Sequence, residues 1–310
     1  MGNIRVPPAL VRLGARLTSS RVLNPGLPWE VQRRRLDRLV GTWPLLRRPP
    51  AVRTSLNGIP ADVVTASDTA DAAAANAAVV TVVHFHGGGY CVGSPGESRD
   101  WAAHVSAQAG CRMILPDYRL APEHPYPAAL TDARAALDAV LAEAAPGTVI
   151  VSGDSAGGGL ALVLAQDDAA RDKPRLAGCM LMSPWLDLTA DWRAVPEPAR
   201  WDVVLTPAWL EACAEAYARA ADRSQPTISP LHGDLAGLPP LLIQCGTDDL
   251  VAPDSECLAA RARAAGLDVT SARWPRMWHN FPLQPGLISA ADAAVAQTAS
   301  FITRVCATGE

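Results

Sequence analysis

The chain has 310 residues, a formal charge of −4 and an isoelectric point near 5.9, so it is long enough for one large α/β domain or for two ordinary domains. Acidic and basic residues are mixed along it, which leaves no basic face for a nucleic-acid backbone and excludes that class of partner. Lys173 is the only lysine and stands in a polar loop, so Schiff-base chemistry and pyridoxal phosphate enzymes are disfavoured.

The cysteines and the apolar stretches bear on the compartment. Seven cysteines are scattered without a CxxC pair, so we expect free thiols rather than a disulfide framework or a zinc site. Arginines and prolines interrupt residues 1–17 before any apolar run of secretory length, and no stretch approaches the roughly 20 apolar residues of a membrane span. We therefore expect a cytoplasmic protein without a membrane span.

The main pattern in the chain is an alternation of short apolar stretches with helical stretches. It is preceded by residues 1–50, which combine helical spacing at 29–40 with prolines, and by a predicted pair of strands around Asn57-Gly58. The elements predicted after these are strands at 79–85, 112–117, 148–153, 177–183, 240–246 and 267–274, and helices near 127–144, 156–169, 254–265 and 287–304. Unbroken apolar strands separated by helices predict a doubly wound α/β domain, with a mostly parallel sheet covered on both faces.

One long interruption separates the strand that ends at Ser183 from the strand that begins near Pro240. It is rich in Trp, Pro and Ala, and 207–221 is its best helical segment. A structureless loop of that length is improbable in a folded domain, so we expect a helical cap inserted at about 185–226 of a core that spans 51–310.

The sequence 153-GDSAG-157 lies between an apolar strand and a helical stretch, which is the context of a nucleophile elbow. In such an elbow the turn is so sharp that its central residue is strained, and the neighbouring positions must lack bulk. Ser155 is therefore predicted to be a catalytic nucleophile.

A serine hydroxyl needs a neutral imidazole to take its proton and a carboxylate to orient that imidazole. In this strand order the acid and then the histidine follow the serine, each just after a strand. Asp248 follows the strand at 240–246 and His279 follows the strand at 267–274, so we predict them to be the acid and the base. Asp249 is the alternative acid, because it adjoins Asp248.

Three consecutive glycines follow His86, at the end of a buried strand. Glycine is costly to order, so a triple glycine indicates backbone that takes unusual angles or closely approaches a ligand. Attack on an ester carbonyl produces an oxyanion that backbone N–H groups must stabilise. The N–H groups of Gly87, Gly88 and Ala156 are predicted to form this oxyanion hole.

Taken together, these motifs resemble the hormone-sensitive lipase family, the bacterial HGGG esterases. The segments that carry the resemblance are 86-HGGGY-90, 117-DYRLAPEHPYPAAL-130, 153-GDSAGG-158, 238-LPPLLIQCGTDDL-250 and 273-RWPRMWHNF-281. The resemblance implies an α/β-hydrolase fold and a carboxylic ester hydrolase without a metal or an organic cofactor. It also implies a cap in two parts, from residues 1–50 and from the insertion. The resemblance is compatible with a monomer or a homodimer.

The expected partner is a small-molecule ester, as the resemblance implies. A cap over the site favours esters with short to medium acyl chains. Tyr90, Trp185 and Trp209 are candidate substrate-binding residues, since ligand sites are mostly apolar. Two alternatives use the same fold. One is an amide or formamide hydrolase with the same triad, and the other is a small-ligand receptor without catalysis, which the presence of His279 disfavours.

Overall fold

The computed structural model describes residues 6–42, 49–65, 79–191 and 202–307. The strands in these ranges are β1 (Val52–Leu56), β2 (Ile59–Val64), β3 (Thr81–Phe85), β4 (Arg112–Pro116), β5 (Val149–Asp154), β6 (Leu176–Met182), β7 (Leu241–Gly246) and β8 (Val269–Trp274). The α-helices are α1 (Pro8–Val22), α2 (Trp29–Thr42), α3 (Arg99–Ala109), α4 (Ala128–Glu143), α5 (Ala156–Ala169), α6 (Pro207–Ala218), α7 (Ala252–Ala264) and α8 (Ser289–Ala307). The predicted strands and helices of the core are confirmed.

These strands form one sheet in the order β1-β2-β4-β3-β5-β6-β7-β8. Strand β2 is antiparallel to both of its neighbours, and the pairs from β4 through to β8 are parallel. This is the mostly parallel sheet that the sequence predicted. Because parallel strands end at the same edge of a sheet, the segments that follow β3, β5, β7 and β8 meet there.

Consecutive apolar residues of the central strands pack on opposite faces of the sheet. Val83 and Val151 belong to a buried cluster on one face, and their neighbours Val82 and Ile150 belong to a cluster on the other. Helices α4, α5 and α7 contribute to the first cluster, while α3 and α8 contribute to the second and pack on each other. Unbroken apolar strands are needed because neither face is exposed to water.

Helix α1 is an element that the sequence pattern did not indicate. Leu10, Leu13 and Leu17 are 59%, 53% and 48% exposed, whereas Val11 and Val22 face the interior. Apolar residues on both sides of a helix reduce the contrast by which an amphipathic helix is recognised. The described residues contain no helix with both the length and the apolar character to cross a bilayer.

Helices α1, α2 and α6 come from the two stretches expected to form a cap, 1–50 and 185–226. Within those stretches, residues 1–5, 43–48 and 192–201 lie outside the described ranges. Trp209 of α6 donates its indole N–H to Gln32 Oε1 of α2 at 2.9 Å, and Gln32 is fully buried. This hydrogen bond joins the two stretches to each other.

Candidate active site

Ser155 stands at the turn between β5 and α5. Its backbone has φ 52° and ψ −120°, a conformation that a non-glycine residue adopts only under strain. A Cβ at Gly153 would lie 2.1 Å from the carbonyl oxygen of Gly157, and one at Gly157 would lie 2.0 Å from that of Phe85. Both flanking glycines are therefore required by the close approach of backbone, as the GxSxG pattern predicted.

The carboxylate beside His279 belongs to Asp249. Nδ1 of His279 lies 2.9 Å from Asp249 Oδ1, and both side chains are buried. The prediction that Asp248 contacts the imidazole is wrong, because Asp248 Oδ2 accepts a hydrogen bond from Arg12 Nη1 at 2.6 Å. The backbone N–H of Asp248 donates to Met277 O, which leaves its side chain directed towards α1.

The environment of His279 has opposing effects on its pKa. Burial lowers the pKa, but the charge and hydrogen bond of Asp249, followed by the charges of Asp202 and Asp154, outweigh burial and raise it above its usual value. These carboxylates thus stabilise the imidazolium, which is the form that a general base takes after it accepts a proton. A histidine that acts as a general base beside a carboxylate needs this balance.

The glycine loop differs from the prediction at one position. The N–H of Gly87 donates to Asp154 Oδ1 at 3.0 Å, so this amide is already engaged by a carboxylate. Gly88 and Gly89 have φ of 108° and 60°, and a Cβ at Gly88 would lie 2.1 Å from the Val92 carbonyl oxygen. In the described part of the chain no acceptor takes the N–H of Gly88, Gly89 or Ala156.

Asp154 connects three parts of the site, a role that sequence reasoning missed. Its carboxylate accepts from Gly87 N–H, lies 3.2 Å from His84 Nε2, and accepts from the Asn280 side chain. Asn280 adjoins His279, so Asp154 links the glycine loop, β3 and the histidine loop. The sequence signal for it is an aspartate at the apolar end of a buried strand, where a charge needs several donors.

Two contacts support the glycine loop from behind. Tyr118 donates its hydroxyl to His86 O at 2.7 Å and stacks on the His86 ring at a centroid distance of 4.3 Å. Arg33 of α2 donates to Cys91 O at 2.8 Å, to Ala121 O at 2.6 Å and to the carboxylate of Glu123. The loop is therefore held between the core and α2.

A cavity of about 240 Å³ opens in front of these groups. Ser155, His279, Gly87 and Gly88 line it together, and Trp209 lines it from α6. Most of the remaining wall of the cavity is apolar. It comes from α1, α2, the end of the glycine loop and the segments near Val204 and Leu283. The apolar residues are Val11, Ala15, Val22, Leu23, Leu36, Leu39, Val92, Leu205 and Leu287.

Two of the three predicted substrate-binding residues do not line the cavity. Tyr90 is 1% exposed and stacks on Tyr217 of α6, with ring centroids 3.8 Å apart. Trp185 is fully buried near Tyr90, at a centroid distance of 6.1 Å. The Tyr90 ring packs α6 on the core and the Trp185 ring packs beside Tyr90, and composition does not distinguish these roles from contact with a ligand.

Comparisons with known proteins agree with this geometry. A family model described as alpha/beta hydrolase fold matches residues 82–283. An acetyl-hydrolase of Streptomyces hygroscopicus is 38% identical over 200 residues, which span 64% of this chain and 67% of that protein. An esterase of Acinetobacter venetianus is 34% identical over 226 residues, 72% of this chain and 74% of that protein. The crystal structure of an esterase from the bacterial hormone-sensitive lipase family aligns with a TM-score of 0.85 and 30% identity over 98% of this chain and 100% of that chain.

Proposed function

Because the chain belongs to the alpha/beta-hydrolase family and, within it, to the serine carboxylic ester hydrolases of hormone-sensitive lipase type, we propose that Ser155, His279 and Asp249 are its catalytic triad. The observation that carries this proposal is the 2.9 Å contact between His279 Nδ1 and Asp249 Oδ1, beside a cavity that Ser155 and His279 line together. Asp249 takes the place first assigned to Asp248.

In the proposed mechanism, His279 Nε2 accepts the proton of the Ser155 hydroxyl while the oxygen attacks the ester carbonyl. Asp249 holds the proton on Nδ1 and stabilises the imidazolium. The imidazolium then protonates the leaving alcohol, which yields an acyl-enzyme at Ser155. Water attacks this ester with His279 again as the base, and the acid and the free serine are released.

The oxyanion of both tetrahedral intermediates needs preformed donors. We assign these to the N–H groups of Gly88, Gly89 and Ala156, because Asp154 already occupies the N–H of Gly87. The positive φ angles of Gly88 and Gly89 turn the backbone without a side chain in the way. Gly87 then fixes the start of the loop and does not act as a donor to the substrate.

Helices α1, α2 and α6 form the proposed cap, and together they restrict the substrate. The cavity of about 240 Å³ is smaller than the roughly 300–1,000 Å³ typical of sites for drug-sized ligands. An apolar wall of this size favours an ester with a short to medium acyl chain. Trp209 is the proposed aromatic contact with that chain, since it is the one of the three candidates that reaches the cavity.

A fluorophosphonate probe tests the proposed chemistry. We expect Ser155 Oγ to displace fluoride from phosphorus, giving a stable adduct that tryptic mass spectrometry places on Ser155. Turnover of p-nitrophenyl butyrate should exceed that of the matched butyryl anilide, and heat-unfolded protein is the control for labelling. Folded protein that binds a small ligand but is not labelled would favour the receptor, and a faster anilide would favour the amidase.

The size of the cavity also predicts the dependence on acyl length. We expect kcat/KM for C4 to C8 p-nitrophenyl esters to exceed that for the C16 ester by about tenfold or more, since the longer chain does not fit the apolar wall. Leu36→Ala should enlarge the cavity and raise kcat/KM for longer acyl chains relative to that for the C4 ester. Leu10→Ala, on the exposed side of α1, is the matched control. Equal rates on C4 and C16 esters would contradict the proposed restriction.

A further inference from the structure

A second carboxylate reaches the catalytic pair from the segment that precedes α6. One carboxylate oxygen of Asp202, one of Asp249 and one ring nitrogen of His279 all lie within 4.8 Å of one another. Asp202 and Asp249 are far apart in sequence, and the triad chemistry described above gives Asp202 no task. A negative charge this close to an imidazole changes the energy of the imidazolium.

The hydrogen bonds of Asp202 show how it is held. Its Oδ1 accepts from Val204 N–H at 2.8 Å, a turn within its own segment, and its Oδ2 accepts from Leu250 N–H at 2.9 Å. Leu250 directly follows Asp249, so Asp202 binds the loop that carries the catalytic acid. Oδ2 of Asp249 is buried, and no donor among the described residues reaches it.

We propose that Asp202 is a positioning residue of the esterase, which fixes the Asp249 loop through Leu250 and supplies a second negative charge that stabilises the His279 imidazolium. The inference rests on the triad proposed above.

The surrounding charges set the state of Asp202. Burial first, and then the negative charge of Asp249, raise the pKa of Asp202 to about 6, so its carboxylate is ionised at neutral pH. Among the described residues, the other charged groups around the cluster are Arg12 and Arg16 of α1, Asp248 paired with Arg12, Asp154 at the end of β5, and Asp254 of α7.

The direction of the effect follows from the states that carry the imidazolium. Above the pKa of His279 the free enzyme holds a neutral ring and the transition state holds a charged ring, so ionised Asp202 lowers the barrier. At low pH the free enzyme already holds the charged ring, and Asp202 becomes protonated as well. Removing its charge should therefore reduce kcat/KM at high pH, but hardly change it at low pH.

The test is the pH profile of kcat/KM for p-nitrophenyl butyrate in wild-type protein and Asp202→Asn. Wild type should show an acid limb with a pKa above 6.5, since the pKa of His279 is raised. In the variant we expect this pKa to fall by about 0.5 to 1 unit and the plateau to fall about three- to tenfold, with the two curves converging below pH 6. Asp202→Glu should restore much of both.

The matched control is Asp234→Asn, because exposed Asp234 accepts from Ala236 N–H in the same kind of turn. It should leave the profile unchanged. An acid-limb pKa for Asp202→Asn within about 0.2 of wild type, in protein that still reacts with the fluorophosphonate, would overturn the role of the charge while leaving the triad intact. Loss of wild-type activity on treatment with a chelator would also overturn it, since the cluster would then serve a cation.

Discussion

Replacing Ser155 by alanine should lower kcat for p-nitrophenyl butyrate by about 10⁵- to 10⁶-fold, the loss seen when a triad nucleophile is removed. Without the Ser155 hydroxyl no acyl-enzyme forms, and His279 has no group to deprotonate except water. The remaining N–H donors and the cavity still bind the ester, so a small residual rate over the uncatalysed reaction is expected. Initial rates at saturating ester measure the loss, and labelling by the fluorophosphonate should disappear.

The control for this variant is Ser300→Ala. Ser300 is exposed on helix α8, where its hydroxyl donates to the Ala296 carbonyl, and the same change there should leave kcat unaltered. Thermal unfolding of Ser155→Ala should remain cooperative, because the lost hydroxyl is small. Residual activity above about one hundredth of wild type in a folded Ser155→Ala protein would place the nucleophile elsewhere.

The core of the fold was predictable because its strands are buried on both faces. The predicted helix at 156–169 coincides with α5, and the predicted strand at 148–153 lies within one residue of β5 at each end. Unbroken apolar runs and glycine-rich turns are local signals, so they survive without knowledge of the tertiary structure. Helix α1 carries no such signal, because its exposed leucines and its cavity-facing valines are equally apolar and the sequence does not show which face is buried.

The site was predictable where a residue type occurs once in the right place. Ser155 follows one strand and His279 follows another, and the structure places both on the same cavity. Asp248 and Asp249 are chemically identical neighbours. Their contacts differ because Asp248 pairs with Arg12, from a helix that the pattern did not indicate, whereas Asp249 lies beside the imidazole.

The same limit applies to the glycine loop at 87–89. Three adjacent glycines offer three N–H groups, and nothing in the sequence says which of them is already bound. Asp154 takes the N–H of Gly87, an arrangement that depends on the close approach of β3 and β5. The glycine motif identifies the segment. Only long-range contacts of this kind show which of its N–H groups is free to bind a ligand.

Exchanging the two acids one at a time should give very different results. Asp249→Asn is expected to lower kcat by about 10⁴-fold, because asparagine can hold the imidazole in the wrong tautomer and does not stabilise its charge. Asp248→Asn removes the ion pair with Arg12 but leaves the contact between Asp249 and the imidazole, so kcat should stay within about tenfold of wild type and stability should fall by about 1 kcal/mol. Steady-state kinetics and urea unfolding measure the two effects.

Arg12→Gln separates the loss of the ion pair from any direct role of Asp248. It should reproduce the small effect of Asp248→Asn, since both variants remove the same ion pair and neither touches His279. If Asp248→Asn instead lost as much activity as Asp249→Asn while Arg12→Gln did not, Asp248 would be the working acid. The loop would then have to change conformation during catalysis, so that Asp248 contacts the imidazole and Asp249 moves away from it.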